Sequence, residues 1–386
     1  NGEQKMLNLL TKTKPWMVAS LIVATSVFGQ NNASCPKPCP PKACPKPCPQ
    51  PCPPTQVCPQ DPCCPGWPTP VLNAAYNYPA RIQTRCPWDF NFDASFIYWQ
   101  ATQENMELGL SNVPTATRTI DAHTVNMDFD FKPGFKVGIG GNFDHDNWDM
   151  RLGYTWFHAR NSHSATAETD GVLLPMWGIP SKNSGVTFDS ISEKWKLQMD
   201  IIDLDLGRWY YVGTKLVFHP NFGVRADWIR QKVSVTSIAT ATNTASVKGK
   251  TTSWAVGPKA GLDTNWNIGS GFRVFGNGEV DLLFTDYTKL SFSEVHSLTP
   301  TTDVFVKQSR VYAVKPHLDM ELGFGWGTYL DCNNWYMDFL LGYEFQVFFD
   351  QNMFRHFNDD VMRGNSTLPS GNLYLQGLTA TFKLDF

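Results

Sequence analysis

From Trp88 onward, apolar and polar side chains alternate with a period of two, as they do in strands whose two faces meet different surroundings. In the run 88–99, Phe90, Phe92, Ala94, Phe96 and Tyr98 share a face against Asp89, Asn91, Asp93 and Ser95. A second run sets Val125, Met127, Phe129, Phe131, Pro133, Phe135, Val137 and Ile139 against Asn126, Asp128, Asp130, Lys132 and Lys136. A third sets Trp148, Met150, Leu152, Tyr154 and Trp156 against Asp149, Arg151 and Thr155. The fourth, 194–211, changes phase at Ile201 and Ile202, which predicts a bulge. Runs at 215–228, 254–266, 272–284, 312–326 and 335–347 keep the pattern. In the last run Tyr374, Leu378, Ala380, Phe382 and Leu384 alternate with Gly377, Thr379, Thr381 and Lys383.

The connections predict how these runs join. Turns near 144, 213, 270 and 332 are short, whereas 110–123, 160–192, 238–247, 295–302 and 351–371 are longer, polar stretches. Short turns at one end and long loops at the other are the layout of an outer-membrane barrel, in which no strand edge faces lipid. The fold class predicted is all-β, a transmembrane antiparallel up-and-down β-barrel of about ten strands. The 160–192 stretch leaves room for a further hairpin, so twelve to sixteen strands stay open. An even count places both barrel termini in the periplasm. Trp148, Trp228, Trp254, Trp266, Trp326 and Trp335, near strand ends on the apolar faces, fit interfacial girdles. A soluble sandwich would need apolar faces mutually buried over runs far longer than usual strands.

The front of the chain has a different character. Met6, Lys12 and Lys14 precede the apolar run WMVASLIVATSVFG, too short for a spanning helix and laid out like a secretory signal peptide ending near Gly29. Residues 1–29 are assigned to that signal, 30–65 to a disordered Cys/Pro-rich periplasmic segment, 66–86 to a connector and 87–386 to the barrel. The unit CPKPCP occurs twice in the Cys/Pro segment, and proline at this density permits only extended, solvated chain. Cys35, Cys39, Cys44, Cys48, Cys52, Cys58, Cys63 and Cys64 lie there, with Cys86 and Cys332 outside it. In an oxidising compartment they are candidate disulfide cysteines, better spaced for cross-links to neighbouring molecules than for pairing among themselves. The CxxC spacing and accompanying histidines of a metal site are absent, so no metal is assigned. A net charge of −3 points to no nucleic-acid partner.

Three stretches carry a family resemblance: WDFNFDASFIYWQA (88–101), FKPGFKVGIGG (131–141) and WDMRLGYTWFH (148–158). With the Cys/Pro segment behind a signal peptide, they resemble the major outer membrane protein-like porins of environmental chlamydiae and the Legionella major outer membrane protein family. The resemblance covers about residues 86–386. It implies a pore-forming protein of the bacterial outer membrane, disulfide-linked to cysteine-rich envelope proteins. It implies no cofactor.

The expected function is passive diffusion of small hydrophilic solutes. The candidate pore lining is Asp93, Asp130, Arg151, Arg225, Lys259, Glu279, Asp281, Lys315, Asp319, Glu321 and Glu344, whose opposed charges would set a transverse field. Against this, ten strands leave little room, and the same charges could pair and plug the barrel. A plugged envelope scaffold or adhesin is therefore the alternative, with outer-membrane lipid as its surroundings in either case. A homo-oligomer is expected only by analogy with trimeric porins. A barrel hydrolase using His317 with Asp319, or Asp128 with Asp130, is remote, and no enzyme is expected.

Overall fold

The computed structural model describes residues 80–84, 89–114, 122–143, 147–167, 171–179, 188–240, 243–297, 303–357, 366–368 and 371–386. The expected signal peptide, the Cys/Pro segment and every cysteine except Cys332 lie outside these residues. Among the described residues, ten long antiparallel strands close into a barrel. They are β1 (Phe90–Gln103), β2 (Phe131–Asn142), β3 (Trp148–Thr166), β4 (Ser190–Arg208), β5 (Leu216–Thr240), β6 (Asn243–Gly269), β7 (Phe272–His296), β8 (Val311–Leu330), β9 (Trp335–Asn352) and β10 (Gly371–Asp385). Each pairs with the next, and β10 pairs with β1 from Asn91↔Asp385 to Gln103↔Leu373, so no barrel edge is left open. The short turns, with the start of β1 and the finish of β10, lie at one end, here the turn end. The opposite end is the loop end. There Glu107–Pro114, His123–Asn126 and Gly171–Pro175 form a small three-stranded sheet.

Side-chain chemistry divides the wall at one level. On the turn-end side the outward face is apolar and bare: Leu322 and Phe324 on β8 expose 67% and 70% of their surface. That degree of exposure, repeated all round the wall, requires lipid. On β6 the band runs from Trp254 to Trp266, roughly 40 Å along the strand, and at a tilt of about 40° it is roughly 30 Å tall, enough for a bilayer core. Beyond this band the faces exchange roles. On β4, Lys194, Lys196 and Gln198 point outward while Ile191, Trp195, Leu197 and Met199 are buried inside. The exchange falls at Tyr98/Trp99 on β1, Trp156/Phe157 on β3, Ile201/Ile202 on β4 and Trp228/Ile229 on β5. Cross-strand register carries it round the wall: Phe157 opposes Met199, and Met199 opposes Ile229.

Three expectations need correction. The phase change at Ile201 and Ile202 is not a bulge, because β4 pairs without a register shift through both residues against β3 and β5. The backbone continues unbroken and the surroundings invert. A register shift does occur where Thr252 opposes Lys289 and Ser253 opposes Tyr287, leaving Thr288 as the extra residue in β7. Second, the supposed loop at 238–247 is largely strand: β5 and β6 run to 25 and 27 residues and are linked through 241–242. Third, the run beginning at Val125 is not one strand. β2 starts at Phe131, while Met127 is buried in the interior core and Val125 and Phe129 pack against it.

Candidate functional site

Within the lipid-embedded section, polar side chains of every strand point inward because the pleat that sends apolar residues to lipid sends their neighbours to the lumen. Arg225 on β5 is the hub. Its guanidinium donates to Asp203 on β4 (2.6 Å from Nε), Glu279 (3.0 Å) and Asp281 (2.7 Å), both on β7. Lys259 on β6 joins the group, its Nζ 2.9 Å from Asp205 and 3.0 Å from Glu279. His317 on β8 sits with Nδ1 2.6 Å from Asp281 and 2.8 Å from Arg225, and its side chain is fully buried. Across the lumen, Arg151 on β3 holds Asp93 on β1 through two hydrogen bonds of 2.9 and 2.7 Å. Lys136 on β2 reaches Glu344 on β9 at 2.6 Å, and Glu344 also accepts from Thr379. Nearer the turn end, His219 lies between Asp149 (2.9 Å) and Asp263 (2.8 Å) and stacks on Trp209 at 4.1 Å between centroids, while Arg273 pairs with Asp338.

These groups surround a cavity of about 480 Å³, which at the turn end meets Arg81, Tyr211, Tyr329 and Tyr336. Its lining carries eleven carboxylates against seven Lys and Arg side chains. Carboxylates therefore outnumber cations there.

Toward the loop end the interior becomes apolar. Trp99, Phe157, Trp195, Leu197, Met199, Ile229, Val233, Val247 and Leu375 meet inside the barrel, with Leu108, Leu173, Trp177 and Phe354 supplied from the connecting segments. Trp99 and Phe157 rings lie 5.6 Å apart, and Phe129 meets Trp195 edge-on at 5.5 Å. The indole N–H groups are satisfied: Trp99 donates to Thr379 at 3.1 Å and Trp195 to Gln231 at 3.2 Å. Lys136 marks the boundary, its Nζ 4.8 Å over the Trp99 ring while it pairs with Glu344 below.

Of the residues expected in the lumen, Asp93, Arg151, Arg225, Lys259, Glu279, Asp319, Glu321 and Glu344 line the cavity. Asp281 faces inward but is consumed by Arg225 and His317. Lys315 also turns inward, donating to the Asp350 carbonyl and lying 4.8 Å over the Tyr287 ring, away from the cavity. Asp130 is a correction: it precedes β2, its carboxylate is exposed, and it pairs with Lys132 at 3.0 Å. Lys136, Asp203, Asp205, His219, Arg273 and Asp338 were not among the expected residues, yet all line the cavity. Unbroken parity from Ile201 through Asp203 and Asp205 is the signal that finds the two aspartates. Among the cysteines Cys332, in the turn between β8 and β9, is disulfide-bonded to a partner outside the described residues.

A closed ten-strand wall with an apolar exterior band and a charged interior defines a transmembrane β-barrel of the bacterial outer membrane. The chain belongs to the family described as Legionella pneumophila major outer membrane protein precursor, which matches residues 83–386. No curated protein matches it. Solved structures with low similarity include the outer membrane protease OmpT from Escherichia coli, 11% identical over 79% of this chain and 99% of that one, with a TM-score of 0.38. A Pseudomonas aeruginosa FadL homologue is 8% identical over 81% and 93%, TM-score 0.28. A major outer membrane protein from Thermus thermophilus is 12% identical over 76% and 99%, TM-score 0.26.

Proposed function

We propose that the protein is a porin-type barrel for small hydrophilic solutes, in a conformation whose lumen is closed toward the loop end by the apolar core. The observation that carries this reading is the cavity of about 480 Å³ enclosed by charged side chains at bilayer depth. Charges of both signs kept at that depth are costly unless water or partners meet them, and they mark a solute path more often than packing alone. The turn end faces the periplasm in this reading, which puts Cys332 on the side where the N-terminal cysteines would reach envelope partners. The excess of carboxylates over Lys and Arg in the lining favours cations.

A second reading, a non-conducting envelope scaffold, is favoured by the apolar layer of Trp99, Phe157, Trp195 and Phe354, which would exclude hydrated ions where it stands. Conductance decides between them. Single channels of the full chain in a planar bilayer are expected to open stepwise, with a reversal potential in a KCl gradient on the potassium side. Phe354→Ala, which thins the layer from a connecting segment and leaves every wall residue in place, is expected to raise open probability. A wild type and variant that both stay sealed would leave only the scaffold.

A further inference from the structure

Just beyond the lipid band, on the outer wall, the structure gathers cations with no counter-charge. Arg160 on β3 is paired in register with Lys196 on β4, Lys196 with Lys232 on β5, and Lys232 with Lys250 on β6. One row nearer the band, Arg230 opposes Thr252, which opposes Lys289 on β7. All six point outward, and among the described residues none has an ion-pair or hydrogen-bonded partner. Like charges directly opposite across a sheet repel and weaken the pairing. Burial, followed by the fields of Lys289, Lys232 and Arg230, holds the Lys250 pKa below its ordinary value. Two carboxylates lie in the next row: Asp200, engaged by Tyr154 at 2.9 Å with His158 at 4.0 Å, and Asp286, which opposes Trp254 and is buried. That same row holds the cross-strand pair Trp228 and Trp254, where the apolar face ends. Aromatic side chains of this kind sit at the head-group level, so the cations stand at the plane of lipid phosphates.

We propose that this patch binds the head group of a lipid bearing two or more phosphates in the leaflet at the loop end. Four directly opposed cations on four adjacent strands extend over roughly 15 Å at the usual strand spacing, a width that matches separated phosphates on one head group and exceeds one free phosphate. Arg and Lys are the side chains suited to phosphate oxygens, and the bilayer supplies the ligand at the level where the row stands. The repulsion that costs stability in the bare wall is offset when the lipid is bound. The assignment of this leaflet to the cell exterior rests on the orientation proposed above, but the binding itself does not.

The test uses the full chain folded in zwitterionic detergent micelles, titrated with fluorescent bisphosphorylated lipid A and with the same lipid dephosphorylated. The wild type is expected to bind the phosphorylated lipid at least tenfold more tightly, and inorganic phosphate at equal phosphate concentration is expected not to displace it. The variant K196Q/K232Q/K250Q is expected to lose at least tenfold in that affinity while its lipid-free Tm is unchanged or higher, since repulsion is relieved. Equal binding of both lipids, displacement by inorganic phosphate, or a variant that binds as the wild type does would overturn the proposal. The comparison of the two lipids on the wild type stands whether or not the variant folds. Micelles report neither conductance nor orientation, so a negative result here leaves the porin reading untouched.

Discussion

At the scale of single residues, the most exposed conflict with physical chemistry is Glu193. It lies on β4 in the loop-end section, outside the lipid band, with Ile191 and Trp195 on the same inward face, and it is fully buried. Among the described residues, neither carboxylate oxygen has a hydrogen-bond partner. Burial, reinforced by the charge of Glu107, pushes its pKa up to about 8. The folded state therefore binds a proton that the unfolded chain releases at ordinary carboxylate pH. Stability from this group is present at low pH and is lost progressively as pH rises from the ordinary glutamate range toward 8. Glu193→Gln, which keeps the shape and cannot ionise, is expected to match the wild type near pH 5 and to melt at a higher temperature at pH 9. Melting curves in detergent across that range check it. Curves that stay parallel would show that Glu193 finds a partner on folding.

At the scale of one element, β4 shows how a single regular strand serves two solvents. Its loop-end part presents Lys194, Lys196 and Gln198 to water, and its turn-end part presents Ile202, Leu204 and Leu206 to lipid. The same substitution should then have opposite consequences along one strand. Leu204→Lys places an ammonium in the hydrocarbon and is expected to cost about 2–4 kcal/mol, whereas Ser192→Lys, on the same face but opposite the uncharged Ser164 and Thr236, is expected to cost close to nothing. Urea unfolding of the full chain in lipid vesicles separates the two. Equal effects would mean that the band ends elsewhere. This strand also explains how far the sequence could be read. Strands such as β8, whose outward apolar run Tyr312–Trp326 lies wholly within the band, were legible in face and extent, and so were Asp319 and Glu321 on their other face. Where a strand crosses the band's upper level, the apolar parity shifts by one, and that mimics the one-residue slip of a bulge. Alternation reports which face is apolar but not whether the apolar face meets lipid or core. Asp203, Asp205 and the entire apolar interior around Trp195 were hidden by that ambiguity. Connecting segments that contribute Trp177 and Phe354 have no period at all, so their place in the interior is set by tertiary packing alone.

At the scale of the whole molecule, everything depends on the seam where β10 meets β1, because an open barrel would leave a row of backbone N–H and C=O groups in lipid at several kcal/mol each. The seam is tight. Ser95 and Thr381 hydroxyls meet at 2.7 Å, the backbones of Phe90 and Phe386 exchange hydrogen bonds of 3.3 and 3.0 Å, and Phe386 packs against Trp335. At Gly377, opposite Trp99, a Cβ would stand 2.2 Å from the Tyr98 carbonyl oxygen and 2.8 Å from the Trp99 Cα. Those are backbone atoms of the partner strand, so an added methyl can be accommodated only by moving the strands apart. Trp99 lies at the same point and carries one side of the apolar core, which ties closure of the wall to closure of the lumen. Gly377→Ala is thus expected to lower the fraction of chain that reaches the compact, heat-modifiable form on SDS gels after refolding into micelles. Gly278→Ala, on β7 where an added Cβ meets nothing within 4 Å, supplies the matched control and is expected to fold as the wild type does. If both variants refold alike, the seam has slack that the geometry denies. If Gly377→Ala folds poorly and its surviving fraction conducts more than the wild type, the seam and the core open together.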